Sequence, residues 1–311
     1  MSNKRLLIHV GYVKTGSTWL QEVFFNNEKA GFLAPSERES LGGSMDVVEK
    51  FIIPNSLNFS AKLAYKVFEP MLQEAAKYNL VPVISNEGLS GNQLGGDYQG
   101  KEYADRIHAA FPEAKIFIVI REQKAILMSA YRHHIGGGGT KTIEEFIGTG
   151  DHITGYRPTC RLDHFEYDLL IEYYQKLFGS DNVLVLPIEL LKKDQQSFGQ
   201  KLLNFAESDG SVDYSVEAKN VGFKGGSLAF QRKLNFWVNP PSIIYRKRSL
   251  SWNIAYKLSL LVGKGLPNAI NENIENSYKQ FIIKRVGNLF SESNQRTNRL
   301  IDINLTDFGY D

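Results

Sequence analysis

Up to residue 186 the chain is punctuated by four short apolar runs, Leu6 to Val10, Val81 to Ser85, Lys115 to Ile120 and Val183 to Leu186. None alternates with polar residues, which is the pattern of parallel strands covered on both faces, and the long connections leave room for crossover helices. Apolar residues at three- and four-residue spacing predict helices over Thr18 to Lys29, Pro70 to Tyr78, Tyr103 to Ala110, Lys124 to His134, Tyr167 to Phe178 and Phe198 to Ala206. The alternation predicts an α/β fold, a doubly wound parallel sheet flanked by helices, in a single domain over residues 1–311. From about residue 216 the rhythm fades into a basic, aromatic stretch with Pro240-Pro241 and Arg246-Lys247-Arg248, read as an irregular or helical C-terminal extension wrapped on the sheet. The run Gly136 to Gly139 predicts a mobile loop.

Composition narrows the function. With 42% hydrophobic and 23% charged residues over 311 positions, the chain is neither disordered nor membrane-embedded, and its length suits one large α/β core. Lys and Arg number 36 against 34 Asp and Glu, a net charge of +2 that is too balanced to name nucleic acid as the partner, so an anion site must be local. Cys160 is the one cysteine, which excludes an internal disulfide and a thiolate zinc cluster and fits a reducing compartment. The polar start leads straight into the first strand, so a cytoplasmic location is expected. The apolar stretch Trp252 to Val262 is interrupted by Asn253, Lys257 and Ser259 and falls short of the roughly 20 residues of a membrane span. Beside Arg246-Lys247-Arg248 it could touch an anionic membrane surface or guide an acidic glycan, although such a run is more often a solvated face.

The first strand ends in Gly11-Tyr12-Val13-Lys14-Thr15-Gly16-Ser17-Thr18 and runs into a helix, the context of a P-loop-like phosphate cradle. Two glycines five apart let the loop curl so that its amides face an anion. A nucleotide triphosphatase places lysine directly after the second glycine, whereas here Ser17 stands there and Lys14 precedes Gly16 by two. An ordinary turn with a surface lysine is the bland reading. The third predicted strand ends in Arg121, where magnesium-using triphosphatases place an acidic ligand. Arg121 is placed to meet a second anionic group, and Ser129, about two helical turns on, could reach the same anion or be merely a tolerated helix residue. Glu122 is an alternative helix-start residue. Trp19, Leu20, Val23 and Phe24 read more simply as core contacts of the first helix.

Lys14-Thr15-Gly16-Ser17-Thr18-Trp19 after the first strand, and Arg121 with Ser129 after a later one, resemble the two cofactor motifs of sulfotransferases that use 3′-phosphoadenosine 5′-phosphosulfate. The resemblance extends to Phe178-Gly179, Val183 to Leu186, Glu189 and Phe308-Gly309-Tyr310, which look like bacterial members. It implies that the first loop holds the 5′-phosphosulfate with Lys14 at the bridging oxygen, that Arg121 and Ser129 hold the 3′-phosphate, and that no metal is required. The chain departs from the family at Val13, where proline is frequent, at Glu122-Gln123, and in having no Arg-Lys-Gly triplet. Lys219-Asn220-Val221-Gly222 and Lys224-Gly225-Gly226 are the substitutes expected to close over the nucleotide.

An attacking hydroxyl must lose its proton, and the second predicted strand delivers Asn86-Glu87-Gly88-Leu89 to the same edge, making Glu87 the candidate general base; a solvated or capping residue is the bland alternative. The resemblance associates glutamate at this point with glycan-modifying branches and histidine with small-molecule branches, which tilts the acceptor modestly towards a carbohydrate; the expected partner is a hydroxyl-bearing acceptor, an amine being the lesser alternative. Among the histidines, His133 and His134 are candidates to line the acceptor cleft, His9 reads as a satisfied strand histidine, and His108, His152 and His164 lack metal-ligand spacing. Two rivals remain: a P-loop kinase using magnesium and a nucleoside triphosphate, and a nucleotide-regulated binding module without catalysis.

Overall fold

The structure, a computed structural model, describes residues 4–34, 44–150, 158–214, 223–238 and 249–311. Among them β1 (Leu7–Gly11), β2 (Phe32–Leu33), β3 (Val81–Asn86), β4 (Lys115–Ile120) and β5 (Val183–Pro187) form an all-parallel sheet in the order β2-β3-β1-β4-β5. The uniformly apolar strands divide their side chains by parity. Ile8 and Val10, Ile116, Ile118 and Ile120, and Val183 and Val185 enter one core layer, while Leu7, Phe117, Val119 and Leu186 enter the other. Each such side chain fully buried contributes roughly 1.5–3 kcal/mol before entropy is counted, so a sheet covered on both faces needs no polar alternation.

In chain order the helices are α1 (Ser17–Leu20), which continues as the π-helical turn Gln21–Phe25, α2 (Ser44–Val47), α3 (Ala61–Lys77), α4 (Gly100–Ala110), α5 (Gln123–Gly136), α6 (Ile143–Ile147), α7 (Tyr167–Phe178), α8 (Ile188–Lys193), α9 (Gln195–Ala206), α10 (Gly225–Leu234), α11 (Leu250–Gly265), α12 (Asn268–Val286) and α13 (Ser291–Leu300). Two strand-to-helix connections decide the site: β1 turns into α1, and β4 turns into α5. The five strands reverse their order of progression around β1, so the crevice where ligands enter open α/β sheets lies at the carboxyl ends of β1 and its neighbours.

Three local expectations are corrected. The helix expected from Pro70 begins instead at Ala61, because the buried stripe Ala64, Phe68, Met71 and Ala75 runs through the proline and Ser60 caps its start. Packing therefore outweighs the lost backbone bond of an interior proline. The helix expected to run to Lys29 widens at Gln21 and stops at Phe25, and Asn27 caps a separate turn over Glu28–Ala30. The glycine run is not a loose loop: Gly136 closes α5, and the Asn235 side chain donates to the carbonyls of Ile135 at 2.9 Å and Gly139 at 2.7 Å. The strand β2, only two residues long, carries no pattern that a sequence reading can detect.

The C-terminal extension is helical where it is described. Ile282, Val286, Leu305 and Tyr310 join the same core layer as β1 and β4. The segments around Lys219-Asn220-Val221-Gly222, Pro240-Pro241, Arg246-Lys247-Arg248 and His152 lie outside the described residues.

Candidate active site

The loop after β1 is shaped by its two glycines for separate reasons. A Cβ on Gly11 would press to 3.0–3.1 Å on the His9 ring and the Ser17 hydroxyl. Gly16 takes a left-handed φ of +86°, and a Cβ there would fall 2.7 Å from Ile188 Cδ1. Between them Lys14 itself is left-handed at φ +66°, a conformation that costs a non-glycine residue roughly 1–2 kcal/mol. The buried Thr15 hydroxyl donates to the Tyr12 carbonyl at 2.6 Å, so its side chain closes the loop on itself. Thr18 is exposed, and Trp19 is buried against Phe24 with ring centres 5.5 Å apart, a packing position. Ser90 Oγ donates to the Gly11 carbonyl at 2.8 Å and to the Glu87 carbonyl at 3.0 Å, which fastens the turn after β3 onto the loop.

Arg121, at the end of β4, reaches across to the same loop. Its Nη1 donates to the Lys14 carbonyl at 2.9 Å, its Nε is buried with no protein partner, and its own carbonyl accepts from Tyr167 Oη at 2.5 Å. It forms no ion pair with a carboxylate among the described residues. Ser129 lies half-buried on α5. Lys192, on α8, had no place in the sequence reading. Partial desolvation and the charge of Arg121 push its pKa down, with Glu189 opposing, so two cations share this edge of the sheet. The signal that was there to be read is its distance of five residues beyond the end of β5, at the same carboxyl edge as Arg121.

Glu122 proves to be the helix-start residue. Its carboxylate accepts from the amides of Lys124 at 2.8 Å and Ala125 at 2.7 Å, which accounts for one departure from the family motif. Glu189 accepts from Tyr310 Oη at 3.1 Å and from the Glu122 amide at 3.4 Å, joining two segments that the resemblance had singled out separately.

Glu87 sits on the first turn after β3, opposite the loop. Burial raises its carboxyl pKa, while the Lys14 charge, the Lys14 backbone amide and the Ser17 hydroxyl pull the other way. That hydroxyl is buried without a well-formed hydrogen bond, so it biases the carboxylate electrostatically rather than through an ideal contact. On the far side, His133 of α5 opens to solvent at its edge, and partial desolvation and then the Lys14 charge lower its pKa. His134 instead stacks on Phe146 at 4.8 Å, and burial takes its pKa to about 4, a packing role. His9 is only half satisfied: Nδ1 meets Ser85 Oγ at 2.9 Å, Nε2 has no partner, and full burial lowers its pKa to about 3, which keeps it neutral.

Lys224 and Gly225 lie at the start of α10, which packs against α5. Lys224 is exposed at the start of α10, and Gly225 is explained by packing, since a Cβ there would lie 2.3 Å from the Asn271 carbonyl of α12. Neither makes a hydrogen bond or ion pair to the loop, Arg121 or Ser129 among the described residues. Beside the loop, a cavity of about 340 Å³ is lined by Tyr12, Ser90, Tyr98, His164, Leu169 and Tyr173, with Asp163 and Glu166 at its wall. Tyr98 stacks on His164 at 4.5 Å, carries the Arg161 guanidinium 4.1 Å above its ring and hydrogen-bonds Asp163. The described residues contain no group of three or more His, Cys, Asp or Glu placed to hold a metal ion.

No family profile matches the chain, and no curated protein matches it in sequence. Among solved structures it is similar to a sulfotransferase from Alicyclobacillus acidocaldarius, at 19% identity over 70% of this chain and 87% of that one, with a TM-score of 0.48. It is similar also to the sulfotransferase domain from the curacin biosynthetic pathway, at 14% identity over 91% and 97% of the two chains with a TM-score of 0.38. A third is mouse sulfotransferase SULT7A1 complexed with PAP, at 14% identity over 96% and 89% with a TM-score of 0.40.

Proposed function

We propose that the protein is a sulfotransferase that moves a sulfuryl group from 3′-phosphoadenosine 5′-phosphosulfate to an acceptor hydroxyl. One observation carries the reading: Arg121 donates to the Lys14 carbonyl while Lys192 stands beside it, so cations gather at two adjoining strand ends where a metal-dependent triphosphatase would need a carboxylate. The loop amides and Lys14 would take the 5′ end of the donor. Arg121, Ser129 and Lys192 would take its 3′-phosphate, the buried Arg121 Nε being a donor with no protein acceptor. The donor supplies an activated sulfuryl group on a phosphate leaving group. In the transfer, an acceptor oxygen bonds to sulfur, the sulfur bond to the bridging oxygen breaks, and the acceptor proton passes to the Glu87 carboxylate. Lys14 offsets the negative charge left on the bridging oxygen, an electrostatic contribution of roughly 2.7–4 kcal/mol for a well-placed donor.

The cavity beside Ser90 is the proposed acceptor site. Its wall offers the apolar surface of His164, Leu169 and Leu170 to a sugar ring, and Asp163 and Glu166 accept from hydroxyls, which favours a carbohydrate acceptor. His133 is the second candidate for the base, because it feels the charge of Lys14 from the opposite side.

Calorimetry with adenosine 3′,5′-bisphosphate in the presence of a chelator tests the donor site, and labelled donor with a panel of sugars and phenols tests transfer. Binding that needs magnesium and a nucleoside triphosphate would favour a kinase, and binding without transfer across the panel would favour a regulatory module. Lys14→Ala should cut turnover about 100- to 1,000-fold with an unchanged unfolding midpoint. A comparable loss of folding would defeat that role.

A further inference from the structure

The charge of the chain is not evenly spread. Residues 218–271 hold nine Lys and Arg and no Asp or Glu, leaving the remainder of this nearly neutral chain at −7. In the middle of that block, α11 buries Trp252, Ala255, Ser259 and Gly263, the last so close to α10 that a Cβ would fall 1.8 Å from Ser227 Oγ. The opposite face is bare: Leu250 is 77% exposed, Ile254 51%, Leu258 46% and Leu261 63%. At about 100° per residue these four fall within an arc of roughly 80°, and Lys257 and Lys264 lie together along one edge of that arc. In the turn after α10, Phe236 and Trp237 are 64% and 88% exposed. Single exposed leucines are ordinary, but a continuous apolar stripe edged by lysines is not. No helix among the described residues is long and apolar enough to cross a bilayer.

From this we infer that α11 seats the protein on an anionic lipid surface, with Leu250, Ile254, Leu258 and Leu261 entering the acyl boundary and Lys257 and Lys264 reaching the headgroups. The chemistry is that of an interfacial helix: apolar side chains on one arc, basic stems that snorkel, and no carboxylate on the helix to repel the lipid. The sign of the charge block selects an anionic bilayer over a neutral one. A second copy of this chain would meet the same positive field on its own α11 and is disfavoured by like-charge repulsion.

The test is co-sedimentation of the full chain with phosphatidylcholine vesicles, with and without phosphatidylglycerol. The bound fraction should rise about tenfold with the anionic lipid and fall as salt screens the attraction. Leu258→Glu/Leu261→Glu and Lys257→Glu/Lys264→Glu should each abolish the gain while leaving the circular dichroism and unfolding midpoint unchanged, since all four side chains are exposed. Equal partition onto both vesicle types, or none onto either, would overturn the inference. So would a dimer in sedimentation velocity that Leu258→Glu dissociates, which would assign the face to a second copy. None of these outcomes depends on the sulfotransferase reading.

Discussion

Glu87, the proposed base, is a side chain whose burial works against its ionised form. Its folded pKa is raised by burial, so its contribution to folding is fully present only below its ordinary carboxyl pKa and is lost as pH rises through the folded value. The ionised form of the group therefore weighs against the fold. Glu87→Gln should raise the thermal unfolding midpoint at neutral pH while lowering transfer about 100- to 10,000-fold and leaving bisphosphate affinity intact. The wild-type rate should fall as pH is lowered through the raised pKa, and the variant should lose that limb. If His133→Gln, rather than Glu87→Gln, removes the pH dependence, the histidine is the base. A variant at Glu87 that destabilises the fold would instead make the residue structural.

At the level of elements, the sheet and the turn of the first loop were legible because their signals are local. Unbroken apolar runs announced β1, β3, β4 and β5, and the glycines of the first loop are demanded by contacts with His9, Ser17 and Ile188 that only a side-chain-free residue allows. What escaped reading was whatever depends on tertiary neighbours. Lys192 can be set beside Arg121 only by counting on from the end of β5, nothing near Glu189 announces Tyr310, and the stripe that carries α3 through Pro70 is apparent only once its buried face is known. A Gly-Gly pair such as Gly225-Gly226 looks alike in sequence whether it approaches a phosphate or, as here, another helix. The strand-end assembly makes a graded prediction. Arg121→Ala should weaken adenosine 3′,5′-bisphosphate binding about 10- to 100-fold in calorimetry, as expected for a charge-assisted contact, and Lys192→Ala should weaken it less and in a more salt-sensitive way. Unchanged affinity in both would remove this edge from the donor site.

Over the whole molecule, the C-terminal helices are braced against the helix that carries Ser129 and His133. Asn235 holds the end of α5 and the glycine run, Arg232 donates to the Thr140 carbonyl at 3.3 Å, and Arg132 pairs with Glu275 at 2.9 Å. Asn235→Ala should cost about 1–3 kcal/mol of stability, read by chemical denaturation, because two backbone carbonyls lose a buried partner. A loss below about half a kcal/mol would mean that water replaces the amide. The bridge from Arg121 to the Lys14 carbonyl has a different reach. On the proposed donor site, one guanidinium would serve the far phosphate while it holds the peptide that shapes the near one, so a nucleotide cut short at either end would leave a shared strut half engaged. Fragments carrying only one phosphate should then bind more weakly than the sum of their separate contacts implies, and the protein would gauge its donor as a caliper does, by the span between two jaws.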